Sequence, residues 1–280
     1  MSNLKIAVAG GVNLDVLGVP SGKFKTRDSN IGIVSFSCGG VGHNIAAQTV
    51  RTGADVSLYT VFGNDSNGEW LKQRCLSDGI RIDHSFTVDA PSSVYLAIHG
   101  TDGDMLSAIN DMRLLDAFIP DLLDQVMDRI NQADICVLDA NLPEDTLLRL
   151  AEKAEIPMIC DPVSTVKAPR ITPILSRLTA LKPNLLEAQA LTGCTTPEDC
   201  ANSLLRAGVK NVFISLGKDG LYYADRKDHG HLSPDAVTSR PQTGAGDALT
   251  AGITAGIALK ESVQDCALRG MDMVARFLQL

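Results

Sequence analysis

A glycine-rich segment near the end of the chain combines a carboxylate with a helix start. Residues 243–248 have the sequence Thr-Gly-Ala-Gly-Asp-Ala and lead into an apolar helix candidate at 245–258. Glycines allow a tight turn, and the first amides of a helix attract anions. We therefore expect a phosphate at this helix start. Asp247 would take a proton from an attacking hydroxyl while the amides bind the charge that develops on the phosphoryl group. The alternative is a glycine-rich loop in which Asp247 only offsets the helix dipole.

A second chemical pattern lies where a predicted strand gives way to a predicted helix. Residues 182–187 have the sequence Lys-Pro-Asn-Leu-Leu-Glu. Asn184 and Glu187 have the spacing of a helix capping box, which is one interpretation. The other is that both side chains project towards Mg²⁺ and its waters, because magnesium keeps much of its hydration and needs few protein carboxylates. The pattern alone leaves both interpretations open.

Two segments near the start of the chain have residues suited to binding a sugar. Asn-Leu-Asp at 13–15 follows the first predicted strand, and Gly-Gly-Val-Gly-His-Asn at 39–44 precedes a predicted helix. Asp15 could accept hydrogen bonds from two hydroxyls of a diol, while Gly39 and Gly40 would let the backbone approach a flat ring. A turn aspartate and a flexible connector are the alternative. Position 45 is isoleucine, so the glycines do not complete a dinucleotide-binding fingerprint.

The elements that must position these residues follow an α/β pattern. Short apolar segments alternate with amphipathic ones, which predicts a mostly parallel sheet covered by helices. The predicted strands are 6–8, 56–61, 135–138, 158–160, 179–181 and 212–215. The predicted helices are 42–52, 67–77, 121–131, 144–153, 185–191, 197–207, 245–258 and 262–278. Two segments, at about 16–37 and 92–110, break the alternation and predict β-ribbons. Together they would form a small sheet over the carboxyl ends of the strands, as a lid, a dimer surface or both.

Composition and charge narrow the class of protein. The chain has 280 residues, of which 45% are hydrophobic and 21% are charged, so we expect one folded domain over 1–280. A formal net charge of −8 disfavours nucleic acid as a partner. No apolar stretch approaches the length of a membrane span and no leader is recognisable, so we expect a cytoplasmic protein without membrane contact. Seven dispersed cysteines, and histidines without ligand spacing, predict neither a disulfide framework nor a transition-metal centre.

The order of these patterns along the chain resembles the ribokinase-like (PfkB-type) carbohydrate kinases. Asn-Leu-Asp, Gly-Gly-x-Gly-x-Asn, Lys-Pro-Asn-x-x-Glu and Thr-Gly-Ala-Gly-Asp occur in that order over nearly the whole chain. The resemblance implies a three-layer α/β/α fold with a mostly parallel central sheet and a small β-sheet lid. It also implies a kinase that uses ATP and Mg²⁺, acts on a small nucleoside or sugar, and forms a homodimer through the lid.

Four segments narrow the resemblance within that family. They are 39–44, Ile-Asn-Asp-Met at 109–112, Asp-Pro-Val-Ser at 161–164 and Leu-Lys-Pro-Asn at 181–184. These segments are most similar to the members that phosphorylate the 5′-hydroxyl of pseudouridine, which implies that substrate here. A kinase for another nucleoside or for ribose is one alternative, and a catalytically silent nucleoside-binding relative is another.

The resemblance assigns roles residue by residue. Asp247 would be the catalytic base, with an anion hole formed by the amides of Gly244, Ala245 and Gly246. The residues expected to bind the sugar are Asn13, Asp15, Gly39, Gly40 and Asn44. The residues expected to bind the nucleotide are Asn184, Ser215, Gly217, Thr243 and Gly246, while Glu187 and Asn184 would hold Mg²⁺ through water.

Specificity for the base of the nucleoside is a separate hypothesis. Asn110 and Asp111 lie at the end of the second predicted ribbon. An amide and a carboxylate together match the mixed donors and acceptors of a uracil edge. We therefore expect Asn110 and Asp111 to contact the base.

Two departures from the family pattern concern the cation and the nucleotide. Many relatives have an aspartate six residues before the base, as part of a monovalent-cation site, whereas this chain has Pro241 there. Relatives also continue past the equivalent of Leu280 with segments that help to bind that cation and close the adenine pocket. The resemblance therefore leaves K⁺ dependence and full ATP affinity open.

Overall fold

Short buried strands form the centre of the molecule in the computed structural model, which describes residues 4–234 and 244–279. The strands are β1 (Lys5–Ala9), β2 (Asn13–Pro20), β3 (Gly32–Gly39), β4 (Asp55–Tyr59), β5 (Val61–Gly63), β6 (Phe86–Val88), β7 (Val94–His99), β8 (Met105–Asp111), β9 (Ile135–Asp139), β10 (Met158–Asp161), β11 (Ala180–Leu181), β12 (Asn211–Ser215), β13 (Leu221–Ala224) and β14 (His229–Leu232).

The main sheet of the described residues has eight strands, in the order β14-β13-β12-β11-β10-β9-β1-β4. The six strands from β12 to β4 run parallel, and β13 and β14 extend the sheet in the antiparallel sense. Successive residues of a strand point to opposite faces, so Ile6 and Val8 pack into one core cluster and Ala7 and Ala9 into the other. A sheet that is apolar on both faces must be covered on both, which gives three layers.

Nine α-helices occur in the described part of the chain. They are α1 (Val41–Val50), α2 (Ser66–Ser77), α3 (Pro120–Asp124), α4 (Met127–Ile130), α5 (Glu144–Lys153), α6 (Leu185–Thr192), α7 (Pro197–Arg206), α8 (Ala245–Ala258) and α9 (Val263–Gln279). Helices α1, α2, α8 and α9 cover one face of the main sheet, and α3 to α7 cover the other. None of the helices described is both long enough and apolar enough to cross a membrane.

The predicted architecture is confirmed, with local differences. The α/β class, the mostly parallel sheet and the smaller second sheet are all present. The helix predicted over 121–131 is instead two short helices. The backbone forms a tighter turn at Val126, whose amide donates to the carbonyl of Leu123, three residues back, at 3.0 Å. The two antiparallel strands β13 and β14 were not predicted.

A second sheet of four strands contains the two segments predicted as ribbons. Its order is β3-β2-β7-β8, with β2 antiparallel to β3, β2 parallel to β7, and β7 antiparallel to β8. We call this sheet the lid. Strand β2 begins at Asn13, shortly after β1 ends at Ala9, so the lid starts at the carboxyl end of a central strand. That end of a parallel sheet is where ligands bind in open α/β folds.

Candidate active site

The start of α8 has the geometry of an anion site. Gly244 precedes the helix with φ 92°, and a Cβ at this position would lie 2.9 Å from the Phe277 ring. Both facts favour glycine, because other residues rarely adopt a positive φ and because a side chain would collide with the ring. The amides of Ala245 and Gly246 lie in the first turn, where helix amides have no carbonyl partner within the helix. Asp247 lies in the same turn. A phosphoryl group at this point would therefore have both backbone donors and a carboxylate beside it.

The carboxylate of Asp247 is set up to accept a proton. Its Oδ2 atom accepts a hydrogen bond from Nδ2 of Asn44, in α1, at 3.0 Å. Burial raises the pKa of Asp247 from its ordinary value of 3.8 to about 7, and the charges of Asp161 and Asp139 add to that rise. Lys182 and the Asn44 hydrogen bond act in the opposite direction. A carboxyl group whose pKa lies near neutrality is well matched to general base catalysis.

A buried ion pair lies beside the anion site. Nζ of Lys182 is 2.9 Å from Oδ2 of Asp161, and both side chains are less than a tenth exposed. Asp161 ends β10 and Lys182 follows the adjacent strand β11, so the parallel register brings them together. A Cβ on Gly246 would lie 3.3 Å from Nζ of Lys182, which places the ammonium close to the amides of α8. The sequence patterns included both residues, but they gave neither of them a role in the chemistry.

Asn184 and Glu187 form the capping box that their spacing allows. The amide of Glu187 donates to Oδ1 of Asn184 at 2.9 Å, and the amide of Asn184 donates to Oε2 of Glu187 at 2.8 Å. Glu187 is buried, and burial, followed by the charge of Asp161, raises its pKa. The capping geometry explains the position of Glu187 at the start of α6. It does not exclude metal binding, because a carboxylate has several acceptor sites.

A shallow groove lies on the other side of Asn184. Asn184 and Ser215 pair as a single parallel β-bridge, which links the start of α6 to the end of β12. Both residues, with Gly217 and several apolar side chains, line a groove of about 430 Å³. An apolar groove beside a helix start suits an adenine ring. Thr243 and Pro241, also singled out in the sequence, lie outside the described residues.

Three of the expected sugar-binding residues, Asn13, Asp15 and Gly39, lie on the lid strands β2 and β3, while Gly40 and Asn44 lie at the start of α1. Asn13 and Asp15 lie on β2, and Nδ2 of Asn13 donates to Oδ1 of Asp15. A Cβ on Gly39 would collide with the carboxylate of Asp15, so a larger residue there would displace that carboxylate. Gly40 has φ 96°, and its Cβ would come within 2.5 Å of the carbonyl oxygen of Gly11. The glycines therefore allow close packing around Asp15 rather than only flexibility.

The structure separates the two residues expected to contact the base. Asp15 pairs with Tyr95 on β7, and Tyr95 pairs with Asn110 on β8, so all three side chains leave the same face of the lid. Asp111 is the next residue along β8 and leaves the opposite face. Its carboxylate is held by Arg113 at 2.6 and 2.8 Å, and this hydrogen bonding lowers the pKa of Asp111 to about 2. Asn110 thus shares a face with the sugar-binding residues, and Asp111 does not.

One buried acid near the site was not recognised from the sequence. Asp139 ends β9 and accepts hydrogen bonds from the amides of Gly11 at 2.9 Å and Asn141 at 2.8 Å. Burial raises the pKa of Asp139 to about 6. Nζ of Lys167 in turn donates to Oδ1 of Asn141. The signal that could have found this group is an aspartate at the last position of two adjacent strands, β9 and β10. Asp139 fixes the backbone between β1 and the lid.

Comparisons with known proteins find carbohydrate and nucleoside kinases similar to this chain. The model of the pfkB family carbohydrate kinases matches residues 3–274. The chain is 33% identical over 271 residues to a pseudouridine kinase of Escherichia coli (strain K12), covering 92% of this chain and 87% of the relative. It is 27% identical over 290 residues to a guanosine-inosine kinase of Exiguobacterium acetylicum, covering 98% and 94% of the two chains. A solved carbohydrate kinase from Agrobacterium tumefaciens superposes with a TM-score of 0.89 at 31% identity, covering 99% and 91%.

Proposed function

This chain belongs to the pfkB family of carbohydrate kinases, which transfer a phosphoryl group to an alcohol, and from that premise we propose that its acceptor is the 5′-hydroxyl of pseudouridine. The observation that carries the proposal is the hydrogen bond between Asn44 and Asp247. It joins the candidate base on α8 to the start of α1, directly after the glycines that pack around Asp15. A hydroxyl held near Asp15 would thereby face the only carboxylate of the first turn of α8.

The chemistry assigned to the residues follows from their positions. Asp247 would take the proton of the 5′-hydroxyl as the oxygen bonds to the γ-phosphorus and the bond from that phosphorus to ADP breaks. The amides of Gly244, Ala245 and Gly246 would bind the charge on the transferred group. Lys182 would add a fixed positive charge beside them. Asn44 would hold the carboxylate of Asp247 in the orientation that receives the proton.

The residues fit a divalent cation next to the nucleotide. Three acids, Asp161, Glu187 and Asp247, lie in the same region, where Lys182 forms an ion pair with Asp161. The charge of Asp161 raises the pKa of both Glu187 and Asp247. Such a surplus of negative charge favours a bound cation. We propose that Glu187 and Asn184 hold Mg²⁺ through water, where it would neutralise phosphate charge. ATP would bind with its adenine in the groove formed by Asn184, Ser215 and Gly217.

Selection of the nucleoside is assigned to the face of the lid that carries Asp15. Asn13 and Asp15 would bind the ribose hydroxyls, together with Asn44. Asn110 lies two strands from Asp15, which corresponds to roughly 10 Å at the usual strand spacing. That separation suits a nucleoside whose ribose contacts Asp15 and whose base reaches Asn110. Its amide can both donate and accept, as a uracil edge requires. The sequence similarity to a pseudouridine kinase supports this choice of base.

The opposite face of the lid supports the proposed homodimer. Phe36, Val16, Leu96 and Ile109 are paired in register across the four strands and form one apolar row on that face. Phe36 is 62% exposed and Ile109 is 65% exposed. Such a row is costly to leave in water, and a second copy of the chain would cover it. We therefore propose that two chains pair through the lid.

The test is a screen for ATP-dependent phosphorylation. Purified protein with Mg²⁺ and ATP is incubated with pseudouridine, uridine, inosine, guanosine or ribose, and the products are identified by mass spectrometry. We expect the highest kcat/KM with pseudouridine, the phosphate on the 5′-oxygen, and no product from 5′-deoxypseudouridine. A higher kcat/KM with another acceptor would contradict the assignment of pseudouridine as the substrate. If no acceptor gives a product above the Asp247→Asn background, the chain is a silent relative.

Matched variants test how the base is recognised. Asn110→Ala should raise KM for the nucleoside and leave KM for ATP unchanged, because Asn110 is assigned to the base alone. Asp111→Ala, one residue away on the other face, is the control and should change neither value much. The assignment fails if the two variants behave alike.

A further inference from the structure

Three side chains that commonly bind transition metals lie together at the base of the lid, although the sequence separates them. Cys38 is near the end of β3, His43 is in the first turn of α1, and Cys75 is in the last turn of α2. One ligand atom from each lies within 4.8 Å of the other two. His43 and Cys75 are buried, while Cys38 is partly exposed. The cluster therefore has an open side towards solvent at Cys38.

A carboxylate lies next to this cluster. Asp78 caps the end of α2, three residues after Cys75, and its Oδ2 atom is 3.1 Å from Nε2 of His43. The other ring nitrogen, Nδ1, is 3.1 Å from Oδ1 of Asn44. Histidines that bind metals through one nitrogen usually donate a hydrogen bond from the other, which fixes the ring. His43 has such a partner in Asn44.

The four side chains match one kind of ion. We propose that Cys38, His43, Cys75 and Asp78 bind a single Zn²⁺ ion. Zinc takes thiolate, imidazole and carboxylate ligands in a tetrahedron, with bonds of about 2.0–2.3 Å that place ligand atoms roughly 3.3–3.8 Å apart. The ligand atoms of Cys38, His43 and Cys75 lie within 4.8 Å of one another and would move by about 1 Å to reach that spacing. Asp78 would approach the ion as the fourth ligand. Hard ions such as Mg²⁺ avoid thiolates. Binding would release the two thiol protons to solvent, with no change of oxidation state.

The location gives the ion a structural role. Cys38 belongs to a lid strand, whereas His43 and Cys75 belong to two helices of the core. An ion bound to all three would tie the lid to the core. Gly39 directly follows Cys38 and Asn44 directly follows His43, and both are among the residues assigned to the sugar. The zinc site is separate from the proposed Mg²⁺ site at Glu187, on α6.

Metal binding by the whole chain is the test, and it does not depend on catalysis. The wild-type protein is reduced, stripped with a chelator, and titrated with Zn²⁺ against a chromophoric indicator. We expect one Zn²⁺ per chain and a melting temperature that rises with the concentration of unbound Zn²⁺. Co²⁺ in place of Zn²⁺ should give sulfur-to-metal charge-transfer absorption. Cys38→Ala should weaken Zn²⁺ binding by at least about 100-fold, since even outer partners of a metal site change affinity by about 10- to 100-fold.

The controls separate this site from other sources of binding. Cys194→Ala removes a partly exposed thiol outside the cluster and should leave Zn²⁺ binding unchanged. The proposal is overturned if the reduced wild-type protein binds no Zn²⁺, if Cys38→Ala binds it as tightly as wild type, or if the Co²⁺ spectrum lacks thiolate bands. Should Cys38→Ala not fold, the Co²⁺ spectrum of the wild type decides. None of these readouts changes if the nucleoside assignment is wrong.

Discussion

Replacing Asp247 with asparagine should remove catalysis and stabilise the folded protein in the same variant. Asparagine cannot accept the substrate proton, and loss of a general base lowers kcat by about 100- to 10,000-fold. It keeps an oxygen that can accept the hydrogen bond from Asn44. It also removes a charge that burial disfavours, because the pKa of Asp247 is about 7 in the folded protein against an ordinary 3.8.

The size and sign of the stability effect follow from that difference. A rise of roughly three pH units in a pKa corresponds to about 4 kcal/mol, at about 1.36 kcal/mol for each unit. Asp247 is only partly buried, so solvent screening reduces the expected gain to about 1–3 kcal/mol. The pKa of Asp247 is higher in the folded protein than in the unfolded chain. The free energy of unfolding of the wild type therefore falls by this amount as pH rises through about 7, and it is not reduced below about pH 4.

The assay compares melting temperatures of wild type and Asp247→Asn near pH 5 and near pH 8. We expect the variant to melt about 2–6 °C higher at the alkaline end and the difference to shrink towards the acid end. Wild-type kcat/KM should rise with pH up to about 7, as the base ionises. Asp145→Asn, which removes an exposed carboxylate from α5, controls for the loss of one negative charge. A melting difference that is zero or independent of pH would refute the assigned environment of Asp247.

Three further variants test other parts of the site and the dimer. Asn44→Leu should lower kcat by about 10- to 100-fold, the usual value of a hydrogen bond to a charged group, and should raise the apparent pKa in the kcat/KM profile. An unchanged profile would contradict the contact. Glu187→Gln should raise the Mg²⁺ concentration needed for half-maximal rate without lowering the melting temperature, because glutamine can still accept from the amide of Asn184; a normal Mg²⁺ response would leave only the capping role. Phe36→Glu should give a monomer by light scattering, with Val166→Glu, an exposed apolar position outside the lid, as the control.

The sequence predicted the layers of this fold because its strands and helices have strong periodicity. The six predicted strands of the main sheet and most helices begin and end within a few residues of the predicted bounds. Strand β13 was missed because its four residues are too few to show an alternating pattern, and the edge strand β14 was missed because its sequence, His-Gly-His-Leu, is mostly polar and contains a glycine. The break at Val126 depends on a local hydrogen bond that apolar spacing does not report.

The parts of the candidate site that lie within one short segment could be predicted from the sequence. The parts that depend on which strands pair, and in which register, could not. Asp247 and the capping box lie in short contiguous segments. The pair of Asp161 and Lys182 forms only because β10 and β11 are neighbours in the sheet. The different faces of Asn110 and Asp111 likewise become visible only once the pairing of β7 and β8 is known. The residues Cys38, His43 and Cys75 come from three different elements, and their spacing along the chain does not predict that they form a cluster.

The division of the site between lid and core has a consequence for ATP when no nucleoside is present. Asp15 belongs to the lid strand β2, whereas Asp247 belongs to the core helix α8. A water molecule beside Asp247 carries no ribose to contact Asp15, so it gains nothing from the lid. The geometry that activates an acceptor is therefore completed only by a molecule that bridges both parts. We expect futile hydrolysis of ATP to be slow for this reason.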